Sequence, residues 1–368
     1  MFRFPRVFIV LWILLSLCAQ AEVSARAGIL MELETGRVLW EKNADERLPL
    51  ASTTKVMTCL LALENAALSE TVTASKNASG VPGTSIYLSE GETLTMEEML
   101  YGLMLRSGND AAVAIAEHVA GSVSEFSKMM NARAEEIGAD AYFTTPNGLD
   151  EGGNGASARA LALISREAMR IPAFREIVST TKKTIPWKDR QYARALTNKN
   201  RLLTTYEGAL GIKTGFTSRA GRCLAFAAER DGMTVVGAVL RAPNWFADAA
   251  EIMDSAFSSF HLEILAEAGK VVATAPVAGS LSGIVELVPE KSLSVPLMEG
   301  EDCALEIDVL PLCAPVERGE ICGTARAMSG GTEIARAALI ADRTVEKSSY
   351  SEAVRRVLSH WPLPDFGK

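Results

Sequence analysis

Apolar residues recur at helical spacing through the middle of the chain and at strand spacing on either side of it. Val56, Leu60 and Leu63 follow a helical period, widened by Leu61 and Ala62, and predict a helix that begins near Ser52. Thr95 with Glu98 makes a capping box ahead of a helix over 96–105. A second helix, 110–120, follows directly after Arg106-Ser107-Gly108-Asn109. Ser122 with Glu125 reads as another capping box for 126–137, and Ser157 caps a helix through Arg170. Pro172 is expected to end that helical neighbourhood.

Strands bracket these helices. Ala27–Glu34 and Arg37–Glu41 form a predicted hairpin around Glu34-Thr35-Gly36. Residues 210–215, 223–228 and 234–240 are further strands, the last two joined at Arg230-Asp231-Gly232. Those two runs are apolar without alternation, as expected of strands covered on both faces. A helix over 245–261 follows. The expected fold is α/β: a mostly antiparallel sheet joins both strand regions, helices cover it, and a helical subdomain lies between. Beyond Leu265 the pattern changes to short strand-like runs, 283–288, 304–309 and 333–340, which predict a small all-β C-terminal domain. Tyr350, Ala353, Val354, Val357, Leu358 and Trp361 then mark one face of an amphipathic helix. It suits either a membrane surface or docking on the β domain.

The first residues alter this picture. A basic start with Arg3 and Arg6, an apolar run over 7–17 and Ala19-Gln20-Ala21 read as a signal peptide cleaved after Ala21. The expected divisions are residues 1–21, signal peptide; 22–262, catalytic domain; 263–345, β domain; and 346–368, tail helix. Export places the protein outside the cytoplasm, in a periplasm or at the cell surface. The chain of 368 residues carries a net charge of −8, and no basic stripe with interleaved aromatics, so nucleic acid is not an expected partner. Six cysteines become five when Cys18 leaves. Cys59 and Cys223 read as buried thiols; one disulfide among Cys303, Cys313 and Cys322 suits an oxidising compartment. There is no C-x-x-C and no histidine cluster, so neither a metal site nor a cofactor is expected.

The candidate chemistry lies at the ends of the predicted elements. Ser52 and Lys55 stand one helical turn apart, which puts a hydroxyl beside an amine. A lysine kept neutral by its surroundings can take the proton of a serine nucleophile. Ser107-Gly108-Asn109 follows in an inter-helix turn, and Lys213-Thr214-Gly215 at a strand end. Each element alone is weak. The three in this order form the S-x-x-K, S-x-N and K-T-G set of penicillin-reactive enzymes. Histidine chemistry is not supported: His118, His261 and His360 lack any triad context, and no G-x-S-x-G frames a serine.

With the flanking runs Ala51–Thr58, Leu105–Ala112, Pro146–Asp150 and Gly211–Thr217, the chain resembles the low-molecular-weight penicillin-binding proteins, specifically the serine-type D-Ala-D-Ala carboxypeptidases. The resemblance extends from about Ala27 to Phe260 and, through Ala314–Gly319, into that family's C-terminal domain. It implies the penicillin-binding, β-lactamase-like transpeptidase fold. It also implies partners: peptidoglycan stem peptides ending in D-Ala-D-Ala, β-lactam antibiotics and, through the tail helix, the outer face of the cytoplasmic membrane. By this resemblance Ser52 is the nucleophile, Lys55 the base, and Ser107 a proton relay supported by Lys213. Asn109 holds the lysine and the substrate amide. Thr214 binds the substrate carboxylate, Gly215 lets the substrate approach the strand edge, and the N–H groups of Ser52 and Phe216 hold the oxyanion. Arg201 matches a family arginine near the carboxylate pocket.

There are departures. Trp245 stands where relatives often have an arginine before Phe246, and Leu210 where an aspartate is usual. Thr214, Arg201 or Arg241 would then hold the carboxylate. The rival readings are a class A β-lactamase, for which neither Glu151 nor Glu167 has the E-x-x-x-N setting, a D,D-endopeptidase, and a wall-binding protein with little activity.

Overall fold

The computed structural model describes residues 23–149, 153–280 and 283–359. The expected signal peptide, Glu151, His360 and Trp361 lie outside the described residues. The central sheet has five strands in the order Val38–Lys42, Ala27–Glu32, Met233–Leu240, Gly221–Arg230, Ala209–Thr217. Neighbours are antiparallel throughout, and Ala27–Glu32 pairs with Met233–Leu240 across most of the catalytic region. The two sequence-distant strand regions therefore form one sheet, as expected.

Strand alternation explains why this sheet is apolar on both faces. Ile29, Met31, Val236 and Ala238 point into a large core shared with the helices Lys55–Asn65, Met96–Leu105, Asn109–Ala120 and Ala158–Met169. Leu30, Val235 and Val239 point the other way, against Ala249, Ile252 and Met253 of the helix Trp245–Ser259. Every residue of Met233–Leu240 is buried.

The capping predictions hold unevenly. Glu98 N–H donates to Thr95 Oγ1 at 3.2 Å, and Thr95 N–H to the Glu98 carboxylate at 2.8 Å. At the next helix, Val123–Ile137, Ser122 Oγ accepts from Glu125 N–H, but the Glu125 carboxylate turns to Lys128 at 2.8 Å. Only half of that box forms. Pro172 does not end the helical region; it opens a new helix, Pro172–Ser179, at a position where its missing N–H has no intrahelical partner to lose.

The C-terminal region is all-β. Six strands follow the order Ala304–Val309, Ile321–Ser329, Thr332–Ala341, Ile284–Pro289, Ala273–Ala278, Leu312–Cys313. Phe260–Ala266 and Leu293–Met298 form a separate antiparallel pair. Val285, Leu287, Val295, Leu297, Ala327 and Leu339 share one core. Arg37 ties this domain to the catalytic region. Both oxygens of Glu301 accept from Arg37 Nη2 at 2.8 Å, the Pro296 carbonyl accepts from Arg37 Nη1, and the guanidinium lies over the Phe260 ring. No disulfide joins Cys303, Cys313 and Cys322: all three are free, on three different segments, with Cys322 buried. Cys59 and Cys223 are buried thiols, as expected, and burial pushes Cys223 up to about 11.

Candidate active site

The nucleophile region begins with a tight turn rather than a full helix. Ala51–Thr54 form a 3-10 turn, and the α-helix starts at Lys55. Ala51 takes a φ of +48°, which a residue with a side chain rarely adopts. The Pro146–Gly148 turn packs against it. A β-carbon on Gly148 would lie 1.9 Å from the Ala51 carbonyl oxygen, so this close approach requires glycine.

Lys55 is fully buried, and three partners surround its amine. Ser52 Oγ lies at 3.0 Å, Asn109 Oδ1 at 2.8 Å and the Asn147 carbonyl at 2.7 Å. Two of these atoms can only accept hydrogen bonds. A neutral amine gives its two N–H groups to them and leaves its lone pair to the Ser52 hydroxyl, which is the arrangement of a general base. The electrostatics favour this state. Burial, and then the positive charges of Lys213 and Lys199, hold the Lys55 pKa well below the ordinary lysine range.

Asn109 has three partners. Its Oδ1 accepts from Lys55, its Nδ2 donates to the Pro82 carbonyl at 2.7 Å, and its backbone N–H donates to Thr84 at 2.7 Å. It holds the lysine as expected, and its amide nitrogen gives one of its two N–H groups to the loop. Ser107 sits in the turn ahead of it with a φ of +65°. Its hydroxyl is buried and has no hydrogen-bond partner. The expected link from Lys213 is not made, since Lys213 Nζ donates to the Thr214 carbonyl at 2.9 Å.

Lys213, Thr214 and Gly215 are buried in the strand Ala209–Thr217, and Phe216 beyond them is 65% exposed. This strand edge packs against the nucleophile turn. A β-carbon at Gly215 would meet Leu50 O at 2.8 Å, Thr53 N at 2.9 Å and Ser52 N at 3.0 Å. The glycine thus lets the strand reach the Ser52 amide, a constraint of packing within the chain as much as of substrate access. Burial and the charge of Lys199 bring Lys213 to about 7.

Two contributors escaped the sequence reading. The Asn147 carbonyl is a backbone acceptor and has no residue-type signal. Lys199 is the exposed cation whose charge reaches both Lys55 and Lys213. Arg201, two residues on, is exposed and caps the short helix Leu202–Thr205 with its carbonyl. Arg241 donates to the Arg219 carbonyl at 3.0 Å, and Trp245 stacks on Phe246 with Arg222 over its ring. Neither histidine within the described residues is near the site: His118 meets Glu70, and His261 meets Glu263. Glu167 pairs with Arg170, and among the described residues no glutamate contacts Ser52 or Lys55.

Comparison with known proteins gives the family. Residues 16–244 match the D-alanyl-D-alanine carboxypeptidase family, and 260–347 match the penicillin-binding protein 5 C-terminal domain. The chain is 32% identical to D-alanyl-D-alanine carboxypeptidase DacF of Bacillus subtilis, over 92% of this chain and 90% of the relative. It is 30% identical to DacC of Escherichia coli, over 89% of this chain and 86% of the relative. Among solved structures, penicillin binding protein 5 of Haemophilus influenzae superposes with a TM-score of 0.74 at 26% identity, covering 89% of this chain and 98% of that one. The motifs, their assembly around Lys55 and these matches lead to one conclusion: the chain belongs to the D-alanyl-D-alanine carboxypeptidase family of low-molecular-weight penicillin-binding proteins.

Proposed function

We propose that Ser52 carries the acyl group in a two-step hydrolysis of the terminal D-Ala-D-Ala bond of peptidoglycan stem peptides. The protein is a serine-type D-Ala-D-Ala carboxypeptidase, a class that β-lactams also acylate. The observation that carries the assignment of roles is the buried Lys55 amine, whose only partner able to donate a proton is the Ser52 hydroxyl. Lys55 takes that proton as Ser52 Oγ bonds to the penultimate D-alanine carbonyl. The tetrahedral oxyanion sits against the backbone N–H groups of Ser52 and Phe216. Ser107, with an uncommitted hydroxyl, passes the proton to the departing D-alanine amine. Water then attacks the ester, its proton returns through Lys55, and the shortened peptide leaves.

Lys213 and Lys199 give the pocket the positive field that a C-terminal carboxylate needs, with Thr214 on the same strand as its hydrogen-bond donor. Arg201 is a further candidate for the rim of that pocket. Incubation with a pentapeptide ending in D-Ala-D-Ala is expected to release one D-alanine per peptide. Penicillin labelling without any release would instead favour a wall-binding protein with little activity.

The catalytic unit is assigned to 22–262, the β domain to 263–345 and the tail to 346–368, with residues 1–21 as the export signal. No helix among the described residues is long and apolar enough to cross a membrane. The tail helix Tyr350–Ser359 supports peripheral attachment instead. Tyr350, Val357 and Leu358 on it are exposed, so they do not dock on the β domain. Truncation after Val345 is expected to move the protein from sedimenting membranes to the soluble fraction with its D-alanine release intact. Unchanged sedimentation would remove the anchor role.

A further inference from the structure

An arm of the catalytic domain is mounted beside the Ser107–Asn109 turn with more machinery than a surface loop requires. Segment Pro82–Leu88 is fastened to the start of the helix Asn109–Ala120. Asn109 holds Pro82 and Thr84, and the buried Asp110 carboxylate accepts from Ser85 Oγ at 2.6 Å, Ile86 N–H at 3.1 Å and Leu88 N–H at 2.9 Å. The hairpin of Lys182–Ile185 and Arg194–Thr197 is fastened to the same segment. Glu92 and Arg194 form a buried ion pair at 2.9 Å, with side chains 1% and 4% exposed. Arg194 also donates to the Pro186 and Tyr87 carbonyls and lies over the Trp187 ring. A buried ion pair brings little net stability against its desolvation, so its main effect is to fix geometry.

That mount presents aromatic rings to solvent. Tyr87 is 69% exposed and has a φ of +60°, a strained conformation for a bulky residue that the bonds to Asp110 on either side maintain. Tyr192 is 60% exposed and meets Trp187 edge-to-face at 5.7 Å. Arg190 lies over the Trp187 ring as well, 5.7 Å from its centroid. Residues 182–194 hold five basic side chains and one acid in a chain whose net charge is −8. Lys183 is paired with Glu97 and Arg194 with Glu92, while Lys182, Lys188 and Arg190 remain exposed.

We propose that Tyr87, Trp187 and Tyr192, with Lys188 and Arg190, form a platform for the polymeric part of the substrate, the glycan strand and its carboxylate-bearing stems beyond the D-Ala-D-Ala end. It rests on the carboxypeptidase reading for its ligand. The exposed rings of Tyr87 and Tyr192 suit the apolar faces of sugars, and the basic side chains of 182–194 suit stem carboxylates. Because the arm is fastened through Asp110 and Asn109 to the catalytic turn, a strand seated on it enters the site in a fixed register.

The test compares two substrates. For Tyr192→Ala and Arg190→Glu together, the ratio of D-alanine release from uncross-linked glycan strands to release from a short acylated tripeptide ending in D-Ala-D-Ala is expected to fall about tenfold. Penicillin labelling of the variant checks its fold. An unchanged ratio overturns the platform. A second measurement needs no turnover: Ser52→Ala protein should co-sediment with purified cell-wall sacculi, and the added hairpin substitutions should release it. Retained sedimentation overturns the proposal. So does a loss confined to anionic phospholipid vesicles, which would make the partner a membrane. Failure of the unaltered enzyme to cleave the tripeptide would count against the carboxypeptidase reading, while sacculus binding by the Ser52→Ala form would still decide the platform.

Discussion

Ser52→Ala is expected to abolish labelling by penicillin and to reduce D-alanine release by more than about 1,000-fold. The expectation follows from the arrangement around Lys55. The amine has one partner that can give up a proton, and that partner is the Ser52 hydroxyl. Removing the hydroxyl leaves the base, the positive pocket and the Ser52 N–H in place with nothing to carry the acyl group. The fold should survive, because the Ser52 side chain makes one hydrogen bond and fills no core position. Melting within a few degrees of the unaltered protein would confirm that the loss is chemical. Labelling of the variant at the normal stoichiometry would refute Ser52 as the nucleophile.

The second expectation is a bell-shaped dependence of activity on pH, with both limbs set by lysines. Lys55 works as a base only when neutral. Burial and the charges of Lys213 and Lys199 lower its pKa, so activity rises with pH as Lys55 loses its proton. Lys213 works in the opposite sense, since it must be charged to attract the substrate carboxylate. Its pKa is about 7, through burial and Lys199, so kcat/KM falls as the pH rises past that value. A bound carboxylate raises the Lys213 pKa, which puts the alkaline limb of kcat above that of kcat/KM. Lys213→Arg keeps its charge at any accessible pH and is expected to remove the alkaline limb. If the limb stays where it was, Lys213 is not its source.

The two expectations draw on different kinds of information. Ser52 and Lys55 were legible because the relation between them spans one turn, and local geometry alone makes them neighbours. The Thr95 box and the Ser157 cap were legible for the same reason. The five-stranded sheet could be anticipated from runs apolar on both faces, although not its order. Where the reading fell short, a distant group had intervened. Asn109 Nδ2 gives one N–H to Pro82, 27 residues earlier, a partner with no local sign in the sequence. Glu92 and Arg194 lie 102 positions apart and give no local sign of pairing.

What the sequence by itself determined is the set of reacting groups: a hydroxyl and an amine on one helical turn, a serine–asparagine turn and a lysine at a strand end. What only the tertiary structure decided is their protonation. In the proposed reaction Lys55 can serve as the base because the fold buries it, surrounds it with two obligate acceptors and brings up Lys213 on a strand more than 150 residues later. Adjacency along a helix is a local property of the backbone. A pKa depends on every charge and every layer of protein between the group and water, so it exists only once the chain has closed around it.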